Sequence, residues 1–211
     1  MSILEELIES ANKNNISYLS DVSSNWFYSR INSMAESSRR ELKDEIISYE
    51  KNPLLKKGMF YHFDYYPLAR GDRIFESYDR KPLILLLKVK EGIIHGLNIN
   101  YLPVNKRVPF MNKVYRYLVG DVRGSIFENR IALTYPIMTK NKTFIEHKVI
   151  YRKYFINRIK NMRIIPLKYM KILSVMENSR FPTSENTIYS DVLSRMREER
   201  IKQTRKERKT I

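Results

Sequence analysis

The sequence predicts an α+β fold, in which a small antiparallel β-sheet or SH3-like barrel core carries N-terminal, central and C-terminal helices. Two observations support this prediction. Short aromatic and apolar runs separated by turn residues fill residues 58–100, as is typical of strands, and apolar residues recur at the helical period on both sides. A chain of 211 residues suits one compact core with extensions. We divide it into an N-terminal helical region, an α+β core domain and a C-terminal basic helix or tail, at residues 1–52, 53–182 and 183–211.

The first predicted elements are helices over residues 3–12 and 20–50, and Asn52-Pro53 ends the second. A strand follows over residues 58–66. Its period of two puts Met59, Tyr61, Phe63 and Tyr65 on one face and Phe60, His62 and Asp64 on the other. Residues 82–100 predict a hairpin, because a continuous apolar run typical of a strand buried on both faces leads through Lys90-Glu91-Gly92 into a second strand.

The second half of the chain gives weaker signals. Residues 103–118 predict a helix with Pro109 near its first turn. Residues 119–142 are ambiguous, although 131–135 favour a strand. The remaining predicted elements are a basic amphipathic helix over 144–159, a strand over 162–166, a short apolar element over 167–176 and a terminal helix that starts at an N-cap cluster, 183–186, and buries Ile188, Val192, Leu193 and Met196.

Four motifs follow one another along the chain: Gly58-Met59-Phe60-Tyr61-x-Phe63-x-Tyr65, Tyr78-Asp79-x-x-Pro82-Leu83-Ile84-Leu85, Gly96-Leu97-Asn98-x-x-Tyr101-Leu102-Pro103 and Arg163-Ile164-Ile165-Pro166. Over roughly residues 20–195, this order resembles a family of virion-associated proteins of large tailed bacteriophages, identified as virion structural components or DNA end-protector-like proteins. The family pattern has His where this chain has Asn100, and Trp in a late element where it has Tyr169 or Met170. The resemblance implies no catalytic residue. It implies a virion protein assembled in the host cytoplasm, with portal, neck or tail subunits as partners.

Positive charge is concentrated after residue 50. The formal net charge is +16, yet residues 1–50 hold 5 basic and 9 acidic residues. The densest basic segments are residues 140–171 and 195–209, and basic stripes with interleaved aromatic side chains can neutralise phosphates and stack on bases. A solvated face is the alternative interpretation. The predicted contacts to nucleic acid or a partner are Lys148, Arg152, Lys153, Arg158, Lys160, Arg195, Arg200, Arg205 and Lys206.

Most enzyme and membrane signatures are absent from the sequence. There is no P-loop, dinucleotide-binding or nucleophile-elbow motif, and the lack of Cys excludes disulfides and thiol chemistry. The three histidines lack metal-ligand spacing, so we expect no metal and no cofactor. The longest apolar run is too short for a bilayer, and the acidic N-terminus predicts no signal peptide. Asp79, ahead of Pro82, predicts a turn residue rather than a site.

Together these observations favour a non-enzymatic virion structural protein of a tailed bacteriophage, in the neck, tail or head-completion region. It would contact or protect packaged double-stranded DNA through its basic segments. One alternative is an assembly protein that docks on acidic virion subunits without DNA contact. The other is a Mg-dependent nuclease, because Glu146-His147-Lys148 matches half of such a site, with Asp121 as the partner carboxylate.

Overall fold

The computed structural model describes residues 1–16, 21–47, 54–67, 78–119 and 144–208. The fold is α+β, as predicted, with one antiparallel sheet of five strands. The strands are β1 (Phe60–Tyr65), β2 (Leu83–Lys90), β3 (Ile93–Asn98), β4 (Tyr151–Phe155) and β5 (Ile159–Ile165). They pair in the order β4-β3-β2-β1-β5. The sheet is therefore open between β4 and β5 and is not the closed barrel that the sequence left as an alternative.

Helices precede, interrupt and follow the sheet. They are α1 (Ile3–Lys13), α2 (Asp21–Asn32), α3 (Glu36–Ile47), α4 (Val104–Val119), α5 (Leu167–Ser174) and α6 (Glu185–Arg208), with 3-10 helices at Ile99–Tyr101, Ile145–Ile150 and Ile156–Arg158. The single helix predicted over 20–50 is wrong, since α2 and α3 are separate. The Ser33 hydroxyl donates to the carbonyl of Arg30, and the Met34 N–H turns to Ile31, which ends α2.

The basic helix predicted over residues 144–159 is also wrong, because β4 occupies its centre. Arg152 and Tyr154 are buried while Lys153 and Phe155 are exposed, so the segment alternates with a period of two. Pairing with β3 over its whole length stabilises this extended conformation. The charges that resembled the polar face of a helix therefore lie on two sides of a strand.

The hairpin prediction is confirmed. Glu91 and Gly92 both have positive φ, 53° and 73°, as a two-residue turn between paired strands requires. β2 is buried on both faces over residues 83–87 only: Leu85 belongs to the large hydrophobic core and Ile84 to a smaller cluster, whereas Val89 is exposed, contrary to the prediction. The two faces of β1 also separate as predicted, with Phe60 in the large core and the aromatic residues of the other face in the smaller cluster.

The sheet is strongly bent around the smaller cluster. The ring of Tyr154 on β4 lies 4.9 Å from that of Tyr65 on β1, although β3 and β2 separate these strands. In a flat sheet, three strand spacings would hold them roughly 14 Å apart. The smaller cluster thus fills the concave side. The helices pack on the other face, where residues of all three predicted segments, such as Leu7, Leu85 and Val192, join one core.

The terminal helix and α4 complete the fold. α6 begins at Glu185, inside the predicted N-cap cluster, and buries Ile188, Val192 and Met196 as predicted, while Leu193 is half-buried. α4 begins at Val104, so Pro109 lies in its second turn rather than its first. The predicted strand at 131–135 lies outside the described residues. None of the helices in the described ranges combines the length and apolar character that a membrane span needs.

Candidate nucleic-acid interface

Arg152 lies inside the protein. Its side chain is 5% exposed, and its Nη1 donates to the carbonyls of Val149 at 2.9 Å and Tyr151 at 2.6 Å. The guanidinium carbon lies 4.1 Å from the centroid of the Tyr101 ring. These contacts give Arg152 a structural role beneath the surface rather than one on it.

Lys148 and Arg200 form ion pairs with acids between α6 and the 3-10 helix Ile145–Ile150. Lys148 pairs with Glu199, and the Nε of Arg200 donates to Glu146 at 3.1 Å. Partial burial alone would raise the pKa of both carboxyls, but the hydrogen bonds from their cationic partners hold each pKa below its ordinary value. These predicted contacts therefore attach the terminal helix to the core.

The other predicted contacts on α6 are Arg195, Arg205 and Lys206. Arg195 donates from Nε to both carboxylate oxygens of Asp191 at 3.0 Å, one turn earlier. Arg205 and Lys206 are exposed in the last turn, where positive charge complements the helix dipole.

Lys153 belongs to a cluster at the hairpin end of the sheet. In the strand register, Lys153 on β4 lies opposite His95 on β3. On the other side of β3, His95 lies opposite Lys88 on β2, and Lys90 follows on the same face of β2. Burial, reinforced by these three lysines, lowers the pKa of His95. Phe155, two residues beyond Lys153, is 44% exposed. We call Lys88, Lys90, Lys153 and Phe155 the hairpin surface.

Several cations surround a cleft of about 360 Å³, which we call the basic cleft. Its lining residues are Asp64, Tyr65, Tyr66, Pro67, Arg80, Lys81 and Arg180. Two predicted contacts form its rim: the carbonyl of Arg158 accepts the N–H of Tyr66 at 3.0 Å, and the Nζ of Lys160 lies 5.4 Å from the centroid of the Tyr66 ring. The structure thus brings Arg158 and Lys160 together with cations from two other parts of the chain.

Among the described residues that line the basic cleft, Asp64 is the one acid, and its carboxylate already has partners. It forms an ion pair with Lys81 and accepts a hydrogen bond from Asn161 at 2.6 Å. Partial burial would raise its pKa, but these two donors lower it. A bulge in β5 allows the second contact: β5 has one more residue than β1 between the pairs His62–Arg163 and Asp64–Lys160. Asn161, with a φ of 52°, lies in this bulge.

A buried carboxylate holds the basic cleft together. Asp79 is fully buried and accepts four N–H groups: the main chain of Lys81 and Arg180, both at 2.9 Å, and the amides of Asn98 at 3.1 Å and Asn100 at 2.8 Å. Burial raises the pKa of Asp79, while the four donors oppose that shift. The hydrogen bond from the Lys81 N–H to the Asp79 carboxylate confirms the predicted turn. Asp79 also connects this turn to Arg180, which is 101 residues away in the sequence.

The motifs that carry the family resemblance supply this network. Asp79 comes from the second motif, and Asn98 and Tyr101 come from the third; the Tyr101 hydroxyl accepts the N–H of Asp79 at 3.3 Å. Gly96 permits the close approach of β3 to β2, because a Cβ there would lie 2.8 Å from the carbonyl oxygen of Leu85. Asn100, where the family pattern has His, donates to Asp79. The motif residues thus have structural roles behind the basic cleft.

Sequence reasoning missed Arg80, Lys81, Arg180 and Tyr66 as surface residues. None lies in a dense basic segment, and main-chain contacts of Arg180 with Asp79 and Arg80, and of Arg80 with Tyr65, bring them together. Within the part of the chain that the structure describes, no group of three acidic or histidine side chains could hold a metal ion. Asp121 of the nuclease alternative lies outside the described residues.

Comparisons of this chain with protein-family models, with curated proteins and with solved structures find no match. The resemblance to virion proteins of tailed phages stays a prediction from the four motifs.

Proposed function

We propose that this protein is a non-enzymatic structural component of a tailed-phage virion that holds double-stranded DNA by its phosphates. The supporting observation is the basic cleft, where cations from three separate stretches of the chain surround a lining whose one acid among the described residues, Asp64, is paired with Lys81. These cations are Arg80, Lys81, Arg158, Lys160 and Arg180. Guanidinium groups bind phosphate oxygens in bidentate fashion, and each neutralised phosphate releases counterions.

The hairpin surface extends this basic region. The N–H of Ile156 donates to Gly92 in the hairpin turn at 2.9 Å, and the carbonyl of Arg158 accepts from Tyr66 at the cleft. The 3-10 helix Ile156–Arg158 that links these two points is three residues long, and it rises roughly 6 Å. The hairpin surface and the basic cleft are therefore close enough for one duplex to contact both.

The test is the affinity for a fluorescently labelled blunt duplex, measured by anisotropy over a range of salt concentrations. We expect binding that weakens steeply with salt. The variant R80A/R180A should weaken it roughly tenfold and reduce the slope of log K against log salt by about two. The matched variant K148A/R200A removes the same two charges from an acid-paired region and should leave the slope unchanged. Absent or salt-independent binding, or an equal loss in both variants, would overturn the proposal.

A second candidate is the assembly protein that docks on acidic virion subunits. Exposed apolar side chains at and beside the hairpin surface favour it, since Val89, Phe155 and Ile156 make no favourable contact with the phosphate backbone of a duplex. Binding to purified portal, neck or tail subunits that is lost in F155A, while duplex affinity is kept, would support this function. Unchanged subunit binding in F155A would count against it.

A further inference from the structure

We infer that the basic cleft seats one unpaired nucleotide, with its phosphate on Arg80 and Arg180 and its base on Tyr66. This inference rests on the proposed nucleic-acid function and adds a second ligand to it: the cations that bind the phosphates of a duplex also bind a single-stranded segment, whose unpaired base enters the cleft. The cleft is a concavity of about 360 Å³, within the range of roughly 300–1,000 Å³ typical of small-ligand pockets. A base inside a duplex cannot enter such a pocket, because its faces are stacked on its neighbours.

Tyr66 provides a stacking surface at the wall of the cleft. Its side chain is 54% exposed, which is unusual for a large aromatic residue beside a core. Its main chain is anchored by the hydrogen bond to Arg158, and Pro67, the next residue, restricts the backbone of Tyr66 itself. The Lys160 ammonium lies near the ring and adds positive charge beside a bound base. Aromatic rings placed beside cations are the arrangement that binds unpaired bases without sequence preference.

The two arginines are fixed side by side through their main chains. Arg80 donates its N–H to the carbonyl of Arg180 at 2.9 Å, and Arg180 donates its own to Asp79. Both side chains are exposed, and Asp64, the acid among the described lining residues of the cleft, is paired with Lys81. Two guanidinium groups that start from adjacent main-chain positions are pre-organised for one phosphate group.

A second cleft of about 520 Å³, between α2, α3 and the end of α5, provides the internal comparison. It also has an exposed tyrosine, Tyr28, at 43%, and several cations. There Arg40 pairs with Glu36 at 3.2 Å, and Lys43 donates to the carbonyl of Glu177 at 3.0 Å. Because Arg40 and Lys43 are already engaged and two acids, Glu36 and Glu177, are among its described lining residues, this cleft is the matched control and not the nucleotide site.

The experiment compares a labelled single-stranded oligo-dT with a blunt duplex of the same length, by anisotropy at one salt concentration. Tyr66→Ala should weaken single-strand binding about tenfold, the loss of one stacked base, and leave duplex binding within twofold. Tyr66→Phe keeps the ring and should bind like the parent protein, as should Tyr28→Ala. With 5-iodouracil in the oligonucleotide, photocrosslinking should label Tyr66.

The outcomes separate the two proposals. If the duplex binds but the single strand does not, or if Tyr66→Ala affects both ligands equally or neither, the nucleotide site is overturned and the proposed DNA function stands. A crosslink at Tyr28 in place of Tyr66 also overturns the site. If neither ligand binds, the proposed function fails and this inference fails with it.

Discussion

Two basic regions of this molecule differ in what their charges contact. Where α6 meets the 3-10 helix Ile145–Ile150, Lys148 and Arg200 form ion pairs with acids of the same chain. Around the basic cleft, Arg80 and Arg180 are exposed, and the acid that lines the cleft is paired with a different residue. Lys148 and Arg200 lie in the densest basic parts of the sequence, whereas Arg80 and Arg180 do not.

The difference shows that charge density along a chain does not measure the charge available to a ligand. A surface ion pair contributes little to stability, about 0–1 kcal/mol, but it cancels the field that a phosphate would meet. The basic cleft retains its positive electrostatic field, because a hydrogen-bond network centred on the buried Asp79 positions the main chain of its cations from the interior of the protein. The predictions below test this contrast, from the largest expected effect to the smallest.

The largest effect is expected at Asp79. Asp79→Ala removes the acceptor of four N–H groups inside the protein and should lower the free energy of unfolding by about 3 kcal/mol or more. Urea unfolding followed by circular dichroism measures it. The control, Asp191→Ala, removes a half-exposed carboxylate paired within α6 and should change stability by about 0.5 kcal/mol or less. Equal changes in the two variants would show that the network does not hold the cleft together.

A second effect concerns pH, because each region contains a buried neutral histidine. Burial, helped by Lys43 and Lys81, lowers the pKa of His62 to about 3. Burial lowers the pKa of His147 to about 4, although Glu146 opposes the shift. Below pH 6.5 the unfolded chain binds protons at these positions that the folded protein does not, so stability is fully present above pH 6.5 and falls as the pH drops toward the folded values.

Between pH 6.5 and 5, this difference in proton binding lowers the free energy of unfolding by about 2 kcal/mol for each histidine. His62→Gln and His147→Gln should each flatten the decline in unfolding free energy by that amount. The pKa of Asp79 is raised by burial, so its own linkage has the opposite sign, with stability lost as the pH rises through its folded pKa. The measurement is therefore the difference between each variant and the parent protein. An unchanged difference from pH 7 to 5 would contradict the prediction.

The elements set by local signals could be predicted from sequence, and those set by distant contacts could not. The hairpin follows from a continuous apolar run and the Glu91-Gly92 turn, and α6 follows from its N-cap cluster and periodic apolar residues. Residues 144–159 fit a helical period about as well as an alternating one, and only pairing with β3, some 56 residues earlier, selects the strand.

The candidate site depends even more on distant contacts. Arg158 and Lys160 could be predicted as surface cations, because they lie in a dense basic segment. Arg80 and Arg180 could not, because their meeting requires Asp79 to bridge 101 residues. Arg152 looks like its neighbours in sequence, yet its place on the concave face of the sheet buries it. Which cations reach the surface is thus decided by tertiary structure.

The smallest effect is expected when the acids of the paired region are neutralised, which frees its cations instead of removing them. Glu146→Gln with Glu199→Gln leaves Arg200 and Lys148 without their carboxylate partners, so both become available to phosphates. Duplex affinity should rise about two- to threefold, with a steeper dependence on salt. Stability should fall by only about 0.5 kcal/mol per pair, since the cations are partly exposed and screened by solvent.

The control for that gain is Glu6→Gln with Glu41→Gln, which makes the same change in net charge at two exposed acids of α1 and α3. If pairing determines which charges a ligand meets, the control should change affinity by less than the freed pair does. An equal gain in both variants would mean that net charge alone governs binding. The distinction between the paired region and the basic cleft would then have no consequence for DNA.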